Sequence, residues 1–362
     1  MQKLLSIVVP VYKVEPFINK CLDSCLVYKT NENGVQVLDE ELMNQLEVII
    51  VNDGTPDNSA EMSREYVKRY PQTFRQIDKE NGGHGSAWNV GVKEAHGRYI
   101  KFLDSDDWLE NLALMMESIR FTNVDLIVAP YMVHEANTNE MWKMEVKDVE
   151  FGKIYNADSF DWQGNGSEGH YYWHQGGIYS TEMMRRYYPL FLERQPYDDT
   201  ILLVYPVVEA KSLVAWDIPL YHYLIGREGQ SVAVDVIRRN YNALIKVRKS
   251  VIQYVETHPI SDGSTKKVFL SNLLKKQYQY EYVAPIQALS YMDAKQVVKQ
   301  WDKWVRKNNH IVKTKWIRLY RIMPFCLYWI IYSLYCFFGK KITNAKNNLS
   351  WRRILPNKII NE

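Results

Sequence analysis

Apolar residues gather into short runs along the first third of the chain, separated by polar segments with helical spacing. Leu4 to Pro10 predicts a buried strand, and Pro10-Val11-Tyr12 turns off its end. Leu46-Glu47-Val48-Ile49-Ile50-Val51 predicts a second strand, and a short one follows near Phe74–Asp78. Tyr99 to Leu103 has the aromatic and β-branched composition of another, with one Lys inside it. Helices are expected from Pro16, well placed in a first turn, to about Val27, from about Ser59 to Tyr70, and after Ser86 through Ala95. Residues 28–45 are polar and broken and read as a surface insertion. Four strand–helix alternations in about 110 residues predict an α/β domain with a sheet wound by helices. Such sheets bind ligands at the carboxyl ends of their strands.

All four ends carry turn or ligand chemistry: Pro10-Val11-Tyr12, Asn52-Asp53-Gly54-Thr55-Pro56-Asp57, Asn81-Gly82-Gly83 and Asp104-Ser105-Asp106-Asp107. Three carboxylates within four positions repel one another and raise their own pKa values unless a cation lies among them. Oxygen ligands of this kind suit Mg2+ or Mn2+, with water and phosphate oxygens completing the shell. The plainer reading of Asp107 is a helix cap. A dinucleotide-dependent oxidoreductase is disfavoured: the first turn, Pro10-Val11-Tyr12-Lys13, has no glycine, and Gly82, Gly83 and Gly85 come after the third strand.

The same residues resemble the inverting family-2 glycosyltransferases of the GT-A fold, which use nucleotide sugars, and within them the type that builds bacterial cell-surface polysaccharides. The resemblance covers roughly residues 4–231. It rests on Ser6-Ile7-Val8-Val9-Pro10-Val11-Tyr12, on Val51-Asn52-Asp53-Gly54-Thr55-Pro56-Asp57, and on Asn81-Gly82-Gly83 with Ala87 and Asn89-x-Gly91. The Asp-Ser-Asp-Asp run, Tyr197-Asp198-Asp199 and Leu220-Tyr221-His222-Tyr223 complete it. It implies a Rossmann-like mixed sheet flanked by helices. It implies that Pro10, Tyr12, Asp53, Asn81, Gly83, Asp104 and Ser105 bind the donor, with Tyr12 on the face of the nucleotide base and Asp53 accepting a base N–H. It implies Asp106 as metal ligand, with Asp104 at the ribose or reaching the metal through water.

Inversion needs one base for the acceptor hydroxyl. Asp199 is the first choice and Asp198 the second; the family usually shows Glu-Asp where this chain has Asp198-Asp199, which leaves open which acid is the base. One of the two could instead cap a helix expected from Thr200 to Glu209. His222, between two tyrosines, is a candidate for phosphate or metal contact. Trp108 and Trp173, with His174-Gln175-Gly176-Gly177, are candidates for the acceptor pocket; core packing is the alternative for His222 and both tryptophans. The Gln-x-x-Arg-Trp motif of processive synthases is absent, which favours a hexosyltransferase adding one sugar at a time. The expected reaction is metal-dependent transfer from a nucleotide sugar, a UDP-sugar by preference, to a hydroxyl of a lipid-linked glycan. One alternative is a non-catalytic nucleotide-sugar-binding assembly partner, against which the acidic pair argues. Another is a metal-dependent phosphate hydrolase, whose nucleophile motif is missing.

Charge splits the chain. Residues 1–230 hold 21 Lys and Arg against 35 Asp and Glu, a net of −14, while residues 231–362 hold 24 against 7, a net of +17. The expected domains are a catalytic one at 1–230, a helical appendage at 231–315 and a membrane-associating segment with a basic tail at 316–362. Helical composition in the appendage covers 233–258, 264–283 and 293–307. Ile322 to Gly339 is an uncharged run of 18 residues, borderline for spanning a bilayer and shortened by Pro324. Lys and Arg flank it on both sides, so a helix lying in the interface of an anionic membrane is expected, with Trp316, Tyr320, Tyr328 and Trp329 at headgroup depth. A buried helix of a homo-oligomer is the alternative. Nucleic acid is disfavoured, because the aromatics form an apolar block rather than interleaving with Arg. The four Cys, at 21, 25, 326 and 336, have neither metal nor disulfide spacing and read as reduced packing residues. Met1-Gln2-Lys3 shows no secretory signal, which places the expected work at the cytoplasmic face of the plasma membrane.

Overall fold

The computed structural model describes residues 3–162, 174–196, 198–227, 234–308 and 314–346. Two compact units emerge: Met1–Ser231 with Lys249–Lys267, and Val232–Arg248 with Val268–Glu362. In chain order the first contains β1 (Leu5–Val11), α1 (Ile18–Asp23), the hairpin of β2 (Tyr28–Thr30) and β3 (Gln36–Leu38), α2 (Glu40–Gln45), β4 (Leu46–Asn52) and α3 (Ser59–Arg69). Next come β5 (Phe74–Asp78), α4 (His84–Glu94), β6 (Tyr99–Phe102), β7 (Trp108–Leu109), α5 (Leu112–Ile119), β8 (Leu126–Val128), β9 (Tyr131–Glu135), β10 (Met141–Met144) and β11 (Ile154–Asn156). After them come β12 (Gly177–Ser180), α6 (Thr181–Arg185), α7 (Tyr205–Glu209), β13 (Ser212–Ala215) and β14 (Tyr221–Ile225), with 3-10 turns at His174–Gly176 and Asp198–Leu203.

Eight strands form a mixed sheet ordered β11-β13-β8-β12-β6-β1-β4-β5. β5, β4, β1 and β6 are mutually parallel, and β12 runs against both its neighbours. β1 and β4 are buried at every position, so their near-continuous apolar runs are what two covered faces require. Helix α4 lies close on β1 because residue 91 is glycine: a Cβ there would fall 2.2 Å from Val8 Cγ1. A second sheet, β10-β9-β14-β7, stands beside the strand that carries the acidic run.

Some expected elements change shape. Helix α1 stops at Asp23 rather than near Val27, because Ser24 Oγ turns back to Cys21 O at 2.6 Å and also accepts Leu109 N–H at 2.9 Å. The surface insertion is ordered as a hairpin and a helix, α2, capped by Asp39 accepting from Glu41 and Leu42 N–H. The helix expected over Thr200–Glu209 is two pieces: a 3-10 turn to Leu203, then α7 with Pro206 in its first turn. In one continuous helix Pro206 would clash with the carbonyl of Leu202.

The remaining helices are α8 (Val234–Arg239), α9 (Tyr241–Thr257), α10 (Thr265–Ala288), α11 (Tyr291–Lys307), α12 (Lys315–Ile322) and α13 (Phe325–Lys346). Residues 249–267 belong to the first unit. Tyr254 OH donates to Glu209 at 2.7 Å, and Lys266 Nζ donates to Ala210 O at 2.5 Å. In the second unit Asp302 ties three helices: it accepts from Tyr282 OH at 2.7 Å, Arg306 Nε at 2.6 Å and Arg321 Nε at 2.8 Å. Trp316 and Tyr328 are interior, which corrects their expected place at headgroup depth. Inside, Tyr328 OH has the partner a buried phenol needs, Tyr282 O at 2.8 Å, and Trp316 packs edge-on against Tyr332 at 4.7 Å. Cys21 and Cys25 are buried as expected, but Cys326 is exposed. Among the described residues no helix is long and apolar enough to cross a membrane.

Candidate active site

The carboxyl ends of β1, β4 and β6 lie side by side, because the three strands are adjacent and parallel. Pro10 is paired with Val51 inside the sheet, and Tyr12, just beyond β1, is 43% exposed with the Lys13 ammonium 5.3 Å from its ring centre. Asp53, just beyond β4, is buried. Its carboxylate accepts Gly82 N–H at 2.8 Å and Lys79 Nζ at 2.6 Å on one oxygen, and Gly83 N–H at 2.8 Å on the other. Asn81 Nδ2 donates to Asp53 O at 3.0 Å. Asp53 therefore braces the loop before α4 beside any contact it makes to a ligand. Gly83, at φ +85°, is the cap of α4, and a Cβ there would press on the Arg194 backbone at 3.2 Å.

Beyond β6 the acidic run makes a tight turn, with Asp107 N–H donating to Asp104 O at 3.0 Å. Asp104 faces two imidazoles: His84 Nε2 is 3.0 Å from Oδ1, and His174 Nε2 is 3.7 Å from Oδ2. Burial alone would raise its pKa, but His174 and His84 outweigh that and hold the carboxyl well below the usual range. Ser105 is buried in the turn. Asp106 is pushed up, first by burial and then by the charge of Asp104; Arg227, whose Nε donates to Oδ2 at 2.7 Å, offsets part of it. Asp107 is fully enclosed and pushed up further by burial, Asp106 and Asp104. It accepts Leu224 N–H at 2.8 Å and the Tyr221 hydroxyl, so it pins β14 to the turn and does not cap a helix.

Lys101, buried in β6, donates to the carbonyls of His174, Gln175 and Gly177 at 2.9, 2.6 and 3.0 Å. It anchors the turn that brings His174 to Asp104. No three His, Cys, Asp or Glu among the described residues surround a common point for a metal. Asp106 and Asp104 nevertheless fit Mg2+ or Mn2+, which take one or two carboxylates and leave the other positions to phosphate and water. Burial first, and then the charge of Asp104, raise Asp106, and a cation beside the two carboxylates would offset the second of these.

The segment leading to the acidic pair docks on α4. Asn89 Nδ2 donates to Phe191 O at 2.9 Å, its Oδ1 accepts Phe191 N–H at 3.0 Å, and Arg194 N–H donates to Gly82 O at 2.6 Å. Asp198 opens the following 3-10 turn, though its side chain and Tyr197 lie outside the described residues. Asp199 is half-buried. Its charge raises the pKa of the Tyr223 phenol, after burial, Asp107 and Asp104 and ahead of Asp106.

His222 lies elsewhere, within the second sheet. Its Nδ1 is 2.7 Å from His134 Nε2, its ring stacks on Trp108 at 5.3 Å, and Glu110 is 3.2 Å from its Nε2. Trp108 is buried in that group with the Lys20 ammonium 2.9 Å above its ring. Trp173 lies outside the described residues. Sequence reasoning missed the roles of His84, Lys101 and Arg227. A histidine opening α4 straight after Gly83 and a lysine inside an otherwise apolar strand were the available signals.

Comparisons with known proteins bear on the family and the fold. The family description Glycosyl transferase family 2 matches residues 6–187. Among curated relatives, the uncharacterized glycosyltransferase EpsJ of Bacillus subtilis is 43% identical over 111 residues, 31% of this chain and 28% of its own length. The minor teichoic acid biosynthesis protein GgaB of the same organism is 31% identical over 140 residues, 37% of this chain and 14% of its own length. The chain thus spans well under two thirds of these relatives. Among solved structures, S. aureus TarS 1–349 in complex with UDP-GlcNAc superposes with a TM-score of 0.56 at 18% identity, over 80% of this chain and 82% of that one, which establishes the shared GT-A fold. With the family's match spanning half the chain and the acidic strand ends gathered on one rim, the protein belongs to glycosyl transferase family 2.

Proposed function

We propose that this chain moves a single hexose from a nucleotide sugar, most consistently a UDP-sugar, to a hydroxyl of a lipid-linked glycan, with inversion, in the making of a cell-surface polysaccharide or teichoic-acid-type polymer. The observation carrying the reading is the side-by-side placement of the carboxyl ends of β1, β4 and β6, which gathers Tyr12, Asp53 and the Asp104–Asp107 turn on one rim. TarS with UDP-GlcNAc and the teichoic acid relative support the donor and the product class.

In this mechanism Tyr12 stacks on the base, and the loop braced by Asp53, with Asn81 and Gly83, lies along the nucleoside. Asp104 and Ser105 hold the ribose side. Asp106, with Asp104 behind it, would hold Mg2+ or Mn2+, which when bound neutralises charge on the departing diphosphate. Arg227, already on Asp106, adds a fixed positive charge at that spot. Asp199 takes the proton of the acceptor hydroxyl as its oxygen attacks the anomeric carbon opposite the leaving group. The product is the inverted glycoside, and the nucleoside diphosphate leaves. Asp198 is the second choice as base. The charge partition of the chain favours work at the cytoplasmic face of an anionic membrane.

Transfer of labelled sugar to lipid-linked acceptor tests this. Asp199→Asn keeps the shape and loses the base, so turnover should fall by roughly a hundredfold to ten-thousandfold with donor binding intact. An active Asp199→Asn with a dead Asp198→Asn would reverse the assignment, and two active variants would remove it.

A further inference from the structure

We infer that the outer face of α13 is the surface that meets an anionic lipid leaflet, and that its aliphatic side chains, not the aromatic ones, enter the lipid. The inference rests on the membrane reading above and names the face that performs it. Leu327, Ile330, Ile331 and Leu334 are spaced three, four and seven residues apart, so they share one side of the helix. They are 50, 51, 41 and 49% exposed, and Ile322, just before Pro324, is 77% exposed. The opposite side is satisfied within the second unit: Tyr328 and Tyr332 are buried, Tyr328 against Tyr282 and Tyr332 against Trp316. A surface helix ordinarily turns polar residues outward. This one is apolar on both sides, and only the inner side has protein to pack on among the described residues.

Charge decides the occupant. Exposed Lys315 and Arg318 lie on α12 ahead of the stripe, and the sequence beyond it carries Lys340, Lys341, Lys346, Arg352, Arg353 and Lys358. A second copy would bring a part of the same net charge, +17 over residues 231–362, which costs binding. An anionic leaflet accepts both parts at once, the stripe in the acyl boundary and the basic side chains at the headgroups. Lipid also asks for no shaped pocket, and a single ridge of Leu and Ile supplies none.

Cosedimentation of the full chain with phosphatidylglycerol–phosphatidylcholine vesicles tests the inference. The wild type should bind, weakly on phosphatidylcholine alone, and high salt should release only part of it. Ile330→Ser combined with Leu334→Ser should weaken binding roughly tenfold or more, with unchanged melting temperature and unchanged donor binding. A polarity-sensitive dye on exposed Cys326, in a Cys336→Ser background, should shift to shorter wavelength with anionic vesicles; this reads the same face without disturbing it. Undiminished binding by the double variant, or a dye that does not respond, would overturn the inference. So would a wild-type dimer that the double variant splits while vesicle binding stays the same. Absence of transfer to a soluble acceptor by the wild type would instead count against the enzymatic reading and leave the vesicle result standing, since neither substituted residue is near the donor residues in sequence or role.

Discussion

Lys101 shows how one side chain can organise the site without touching a substrate. Burial pushes its ammonium down to about 7, yet three carbonyls of the 174–177 turn converge on it. Lys101→Met would leave those carbonyls buried and unpartnered. The expected loss is about 3 kcal/mol or more in chemical denaturation, accompanied by weaker donor binding as His174 leaves Asp104. Stability unchanged within error would show that the turn is held by other means. The pair His134 and His222 gives a pH prediction. Burial, first of all, lowers both, with Lys20 adding to it and Glu110 opposing. A folded pKa below the unfolded one means the unfolded chain takes up protons first as pH falls. The pair's contribution is therefore complete above about pH 6.5 and is lost below it. Urea midpoints measured from about pH 7.5 to 5 should fall more steeply in the wild type than in a His134→Gln, His222→Gln double variant; parallel curves would contradict this.

At the scale of elements, the fit of α4 on β1 is the most exacting contact near the site. Gly91→Ala would drive a methyl into Val8, and overpacking of this kind typically costs about 1–3 kcal/mol. A melting temperature equal to wild type would mean the helix can slide, and the loop at Asn81–Gly83 would then have to tolerate the slide. The strands of this half were legible because burial on both faces writes itself as an apolar run, as in β1 and β4. The second sheet was not. β7 has two residues, and β14 pairs in parallel with β9 from about ninety positions away, a register that no local pattern encodes. The same limit hid Arg227, which reaches Asp106 across 121 positions, and it left His222 open between phosphate and packing until β9 brought His134 to it. The positions of Asp53, Asp104 and Asp106 just beyond strand ends were legible because turn chemistry and crowded carboxylates are local signals.

Across the whole molecule, the chain joins an acidic unit bearing the candidate site to basic sequence carrying the α13 stripe. In the membrane reading proposed above, an acidic body repelled by an anionic leaflet is held by its basic end and its aliphatic ridge through different forces, only one of which salt screens. The central claim, however, concerns the rim of the sheet. Equilibrium binding of a panel of nucleotide sugars to the full chain, with Mn2+ and with excess chelator, tests it most directly. One donor should bind with Mn2+, lose most of its affinity in chelator, and lose it likewise in Asp106→Ala and Asp53→Ala proteins that melt as cooperatively as the wild type. Binding that ignores both chelator and Asp106→Ala, or the absence of binding to every nucleotide sugar in the panel, would contradict it.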